Sequence, residues 1–81
     1  IDPNIFFYLG FAYNKLKNYE NAEISYSLGL TLDPKNSYIN LYIGELYLNT
    51  RRVNLAEERL KVLSDCNCIE YNELKESISK F

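Results

Sequence analysis

The stretch Tyr8 to Pro34, YLGFAYNKLKNYENAEISYSLGLTLDP, decides the fold, because it reads as one helix, a tight turn, a second helix and a stop. In the first helix Phe6, Leu9, Gly10 and Tyr13 recur at helical spacing on one face, and Phe7 and Phe11, four apart, lie on the next. Lys17-Asn18 makes the turn, Asn being tolerated in the left-handed conformation that ends a helix. Asp33-Pro34 is the stop, since Pro has no amide to donate and disfavours helix in the residue before it.

The same pattern returns thirty-four residues later: Ile5 falls on Ile39, Tyr8 on Tyr42, Gly10 on Gly44, Tyr13 on Tyr47, Ala22 on Ala56 and Glu23 on Glu57. Leu9 and Tyr26 fall on Ile43 and Leu60. A period of that length is the mark of stacked helix-turn-helix units. Gly10 and Gly44 each give up roughly 1 kcal/mol of helix propensity relative to Ala, and close approach of a neighbouring helix is the reason to keep them.

In chain order, Asp2-Pro3 opens a helix by capping its free amides, and the expected spans are Pro3–Leu16, Tyr19–Leu32, Ser37–Asn49, Val53–Asp65 and a closing helix over Glu70–Phe81. Ala22, Tyr26, Gly29 and Leu30 form the inward face of the second helix, and Ile39, Tyr42, Ile43, Leu46 and Tyr47 that of the third. Ala56, Leu60 and Leu63 point inward from the fourth, with Leu74, Ile78 and Phe81 on one stripe of the last. Thr50-Arg51-Arg52 forms a turn whose geometry its composition leaves open, and Cys66-Asn67-Cys68 is a loop.

Eighty-one residues make one domain, short enough that its elements must stack closely to bury a core. Nearly half the residues are apolar and twelve are aromatic, eight of them Tyr, so disorder is not expected. A net charge of −2 with scattered Lys and Arg offers no basic stripe for phosphates, and nucleic acid is set aside. No apolar run approaches the roughly eighteen residues that membrane insertion needs, and no basic leader or small-residue cleavage site is present. A cytoplasmic location is expected; opening on Ile1, the chain reads as a fragment of a longer protein.

With no His, catalysis would fall to carboxylates or thiols, yet Glu57-Glu58 and Asp33 stand on solvated faces or turns, so neither an enzyme nor a catalytic residue is expected. Cys66 and Cys68 lack the further ligands of a metal site, and free thiols are expected, so no metal or cofactor is assigned. Arg51-Arg52 could grip a phosphate or an acidic partner, although a solvated turn is the plainer reading.

Leu9-Gly10, Tyr13, Ala22, Tyr26 and Pro34, with Ile43-Gly44, Tyr47, Ala56 and Leu60 as a second copy, resemble the tetratricopeptide repeat (TPR) family over about residues 3 to 70. The resemblance implies an all-α fold: two tandem hairpins, residues 3–36 and 37–70, in a right-handed helical solenoid with a capping helix at 71–81. It also implies a concave groove lined by the first helix of each hairpin, here Asn4, Phe7, Phe11, Asn14, Lys15, Tyr38, Leu41, Glu45, Leu48 and Asn49. Phe7 and Phe11 stand where carboxylate-clamping relatives begin their Lys and Asn clamp, so an apolar groove for an extended or helical peptide is expected. The alternative for Phe7 and Phe11 is packing against a preceding helix.

The expected function is therefore a non-catalytic protein–protein interaction module that binds a peptide segment of a partner. A narrower resemblance, carried by Ala22 to Gly29, Leu32-Asp33 and Glu70 to Leu74, is to class II type III secretion chaperones, and implies holding apolar translocator segments in the groove. The alternative from another class is an assembly element, in which the apolar first helix pairs with that of a homodimer mate.

Overall fold

A computed structural model describes all residues 1–81 and contains five α-helices and no strand. They are α1 (Pro3–Lys15), α2 (Tyr19–Leu32), α3 (Ser37–Asn49), α4 (Val53–Leu63) and α5 (Ile69–Ser79). Each expected helix forms, but α4 stops two residues early and α5 begins and ends earlier than the sequence suggests.

Three helices start on a side-chain cap. The Asn4 amide donates to Asp2 at 2.9 Å, that of Asn21 to Asn18 at 3.3 Å and that of Ile39 to Asn36 at 3.0 Å, each satisfying a donor that the first turn leaves free. Pro3 opens α1 without losing a bond. Neither α4 nor α5 has a side-chain cap, so both depend on the helices they pack against.

The α1–α2 and α3–α4 turns have one geometry. Asn18 N–H reaches Tyr13 C=O at 2.9 Å and Lys17 N–H reaches Asn14 C=O at 2.9 Å; Arg52 N–H reaches Tyr47 C=O at 2.7 Å and Arg51 N–H reaches Leu48 C=O at 3.1 Å. Both are Schellman caps, with the left-handed residue at Lys17 (φ 60°) and Arg51 (φ 62°). The sequence places that conformation on Asn18 instead; Asn18 is one residue further on, where its side chain caps α2. The resulting antiparallel hairpins are α1 with α2 and α3 with α4.

Packing runs along the chain. α1 lies on α2 and α3, α2 on α3, α3 on α4 and α5, and α4 on α5; no other pair of helix backbones comes close. α3 is thus central and contributes to two apolar clusters. The first joins Ala22 and Tyr26 to Ile39, Ile43 and Leu46, and the second joins Leu41 and Leu48 to Ala56, Leu63 and Leu74. Asn40 is a fully buried polar residue in this interior, and both its donors and its oxygen are engaged: it donates to Pro34 and Asn36 carbonyls at 3.0 and 2.9 Å and accepts from Arg59 at 3.1 Å.

The glycines explain how closely the helices approach. A Cβ on Gly10 would sit 2.5 Å from the Tyr26 ring, so α1 and α2 meet there. Gly44 repeats the place of Gly10 but meets a helix outside its own hairpin: a Cβ there would meet Leu74 of α5 at 2.8 Å. Leu74 is fully buried and Ile78 half-buried on this surface, but Phe81 is exposed because α5 ends at Ser79 and the chain leaves the stripe.

Candidate functional site: the aromatic face of α1 and α3

Phe7 and Phe11 lie one turn apart on α1, so both project to the side where α3 passes. Their rings stack with centroids 6.2 Å apart. From α3, Tyr42 meets Phe7 edge-on at 5.0 Å and Phe11 at 5.9 Å, and Tyr38 lies 6.1 Å from Phe7. These separations fall in the range where ring quadrupoles attract, which fixes the rings against each other beyond simple area burial. Phe7, Phe11 and Tyr42 are half-buried and Tyr38 is exposed, so one surface of the cluster faces solvent.

Beneath the rings lies Tyr26 of α2, fully buried, with its ring 6.4 Å from Phe7. Its hydroxyl has no hydrogen-bond partner, and neither has the buried Oδ1 of Asn14. Burial, with a smaller contribution from Tyr42, pushes the Tyr26 phenol up to about 12. At the edge, the Lys15 ammonium sits 5.2 Å from the Phe11 centroid, and no acid pairs with it.

The structure gathers Phe7, Phe11, Asn14, Lys15 and Tyr38 from the expected groove and adds Tyr42, which the sequence reading assigns to the core. Its signal is the i, i+4 step from Tyr38, which puts both rings on one side of α3. Asn4 and Asn49 are exposed near the helix ends, outside the ring cluster. Leu41 and Leu48 do not line an open groove, being 5 % and 1 % exposed. Glu45 accepts a 2.7 Å bond from the Ser77 hydroxyl of α5. The reason is common to all three: α5 packs along this side of α3 and fills the space that the reading leaves to a peptide.

Other candidates also change character. Arg52 does not reach outward with Arg51; its guanidinium is held by Glu23 and lies 4.8 Å from the Tyr47 ring. Cys66 and Cys68 are not free thiols but a disulfide that closes the α4–α5 loop. Asn67 between them adopts φ 50° and supplies the bend that brings the two together. A shallow hollow on the outer face of α2, lined by Glu20, Glu23, Ile24, Ser27, Leu28 and Thr31, comes from one helix alone and gathers no set of convergent polar groups. No helix is long and apolar enough to cross a membrane. Compared with protein-family models, curated proteins and solved structures, the chain matches none.

Proposed function

We propose that the domain is a non-catalytic protein–protein interaction module that holds a peptide segment of a partner against the aromatic face of α1 and α3. The observation that carries this reading is the ring cluster itself: Phe7, Phe11, Tyr38 and Tyr42 are mutually braced yet open on one side. Aromatic side chains with little freedom left to lose make strong anchors, because binding then costs less ordering entropy. An apolar or aromatic side chain of the partner would lie among the rings, and Lys15 at the rim would favour an acidic residue beside it.

This reading takes the two hairpins as tandem TPR-like units in a right-handed solenoid capped by α5. It draws support from the matching turns at Lys17 and Arg51, the fully buried Ala22 and Ala56, and packing in which each helix lies on the next while α1 also meets α3 and α3 meets α5. The peptide surface proposed is shorter than the sequence implies, since Leu41, Glu45 and Leu48 are engaged with α4 and α5.

A peptide-display library selected on the chain and counter-selected on a Phe11→Asp, Tyr38→Asp variant tests the reading. The expected outcome is a family of apolar sequences that bind the chain and lose affinity for the variant, with circular dichroism showing the variant folded. Selection that enriches nothing, or sequences that bind both proteins equally, would overturn it.

A further inference from the structure

Helices α1 and α3 carry apolar residues at matching positions but differ in what covers them. Ile39, Ile43 and Leu46 of α3 are buried beneath α2, in one cluster with Ala22 and Tyr26. Their counterparts on α1 are open: Ile5 is 58 % exposed, Leu9 43 %, and Ala12 is exposed too. Leu16, 77 % exposed, extends the same stripe by a further turn. Most of the exposed large apolar side chains of the protein fall in residues 1–32, so the surface is uneven in a way that solvation alone does not favour.

The spacing along this stripe is symmetrical. The steps from Ile5 to Leu9 to Ala12 to Leu16 read the same from either end. When two such helices cross antiparallel about a twofold axis between Gly10 and Phe11, Ile5 of each copy faces Leu16 of the other, and each Leu9 faces the small Ala12. That is the self-complementarity an isologous contact requires, and Ala12 provides the hollow for Leu9.

Charge follows the same symmetry. Asp2 caps the N-terminal end of α1 and Lys17 follows its C-cap Leu16, so the two ends of the helix carry opposite charges. Neither Asp2 nor Lys17 has an ion-pair partner within the chain. Antiparallel pairing brings each Asp2 to the Lys17 end of the other copy and sets the two helix dipoles in opposition.

From these features we infer that the open stripe of α1 is a self-association surface that takes α1 of a second copy, antiparallel, about a twofold axis. This goes beyond the peptide-binding reading and does not depend on it, since Phe7 and Phe11 point to a different side of α1. The helix that carries the stripe has thirteen residues and is only about 20 Å long at the helical rise, so the dimer belongs to the small, concentration-dependent class of interfaces.

Sedimentation of the chain over a wide concentration range tests this. The expected result is a molar mass that climbs from monomer to dimer, whereas Leu9→Glu stays monomeric at every concentration with its helicity unchanged. Asp2→Lys and Lys17→Glu should each weaken the dimer roughly tenfold, two exposed ion pairs being altered by symmetry. An equimolar mixture of those two variants should recover it, because in the mixed pair both ends again join opposite charges. A wild-type chain that stays monomeric throughout, a dimer that survives Leu9→Glu, or a mixture no stronger than either variant alone would overturn the inference. Peptide binding on the aromatic face is measured separately and is expected to be the same in Leu9→Glu.

Discussion

Arg52, at the start of α4, holds Glu23 of α2 in a two-bond fork, with Nη2 donating to Oε1 at 2.7 Å and Nη1 to Oε2 at 3.2 Å. The pair ties the second hairpin back to the first at a place where α2 and α4 are not otherwise close. Tyr47 supports it from below, its ring 4.8 Å from the guanidinium. Both side chains are about a third exposed, at 36 % and 33 %, so water screens part of the attraction. A double-mutant cycle of Arg52→Ala and Glu23→Ala should give a coupling of about 0.5–1 kcal/mol that shrinks as salt is raised. Arg52→Lys should recover less than half of it, because an ammonium cannot form the fork.

Gly10→Ala is a test of how α1 meets α2. Ala is the better helix former by about 1 kcal/mol, yet its Cβ would fall 2.5–3.0 Å from three atoms of the rigid Tyr26 ring. Overpacking of a filled site typically costs about 1–3 kcal/mol, so the expected net change is a loss of stability, read as a lower urea midpoint at unchanged slope.

The turns give the opposite sign. Lys17 and Arg51 adopt left-handed conformations that cost a side-chain-bearing residue about 1 kcal/mol and Gly nothing. Lys17→Gly and Arg51→Gly should therefore each raise stability by about 0.5–1 kcal/mol, part of the gain being lost to the freer unfolded chain. Thermal melting of the two single variants and the double variant checks both sign and additivity.

Tyr26 predicts an alkaline weakness. Its phenol is raised from the ordinary value near 10 to about 12 by burial, with a smaller push from Tyr42, so the folded state favours the protonated form. A raised folded value contributes stability in full below the unfolded value and loses it as pH climbs from about 10 through 12, a total of about 2–3 kcal/mol. Tyr26→Phe should remove this part of the alkaline loss. Near neutral pH the substitution should be close to neutral or stabilising, because the hydroxyl it deletes has no partner. Urea unfolding of both proteins at stepped pH provides the comparison.

Leu41 and Tyr38 separate core from surface on one helix. Leu41 is 5 % exposed among Leu48, Ala56, Leu63 and Leu74, so Leu41→Asp should place a charge in the core and cost about 3–5 kcal/mol, enough to unfold a domain of this size. Tyr38→Asp, on the open side, should leave the melting transition within about 0.5 kcal/mol of the parent. Circular dichroism melts of the two variants distinguish these outcomes.

The helices were legible in the sequence because their signals are local. Asp2-Pro3 announces a helix start, Lys17-Asn18 a turn and Asp33-Pro34 a stop, and apolar periodicity marks the lengths between. Ala22 and Ala56 are fully buried, as their inward placement implies, and the glycine at position 10 marks the close approach of α1 and α2. What sequence could not decide is which side of α3 faces which neighbour. Leu41, Glu45 and Leu48 occupy the positions that match Phe11's side of α1, but α5 lies over them and nothing equivalent fills the aromatic face, where α3 itself contributes rings. Gly44 likewise fits the pattern of Gly10 and yet meets Leu74 instead of α4. The physical reason is that a helix's own hydrogen bonds and apolar period are written within a few residues of one another, whereas the choice of covering element is made by chain segments thirty or more residues away. Caps and periodicity therefore mark α1 to α3 and periodicity alone marks α4 and α5, while tertiary packing decides which apolar residues become core and which remain open to a partner.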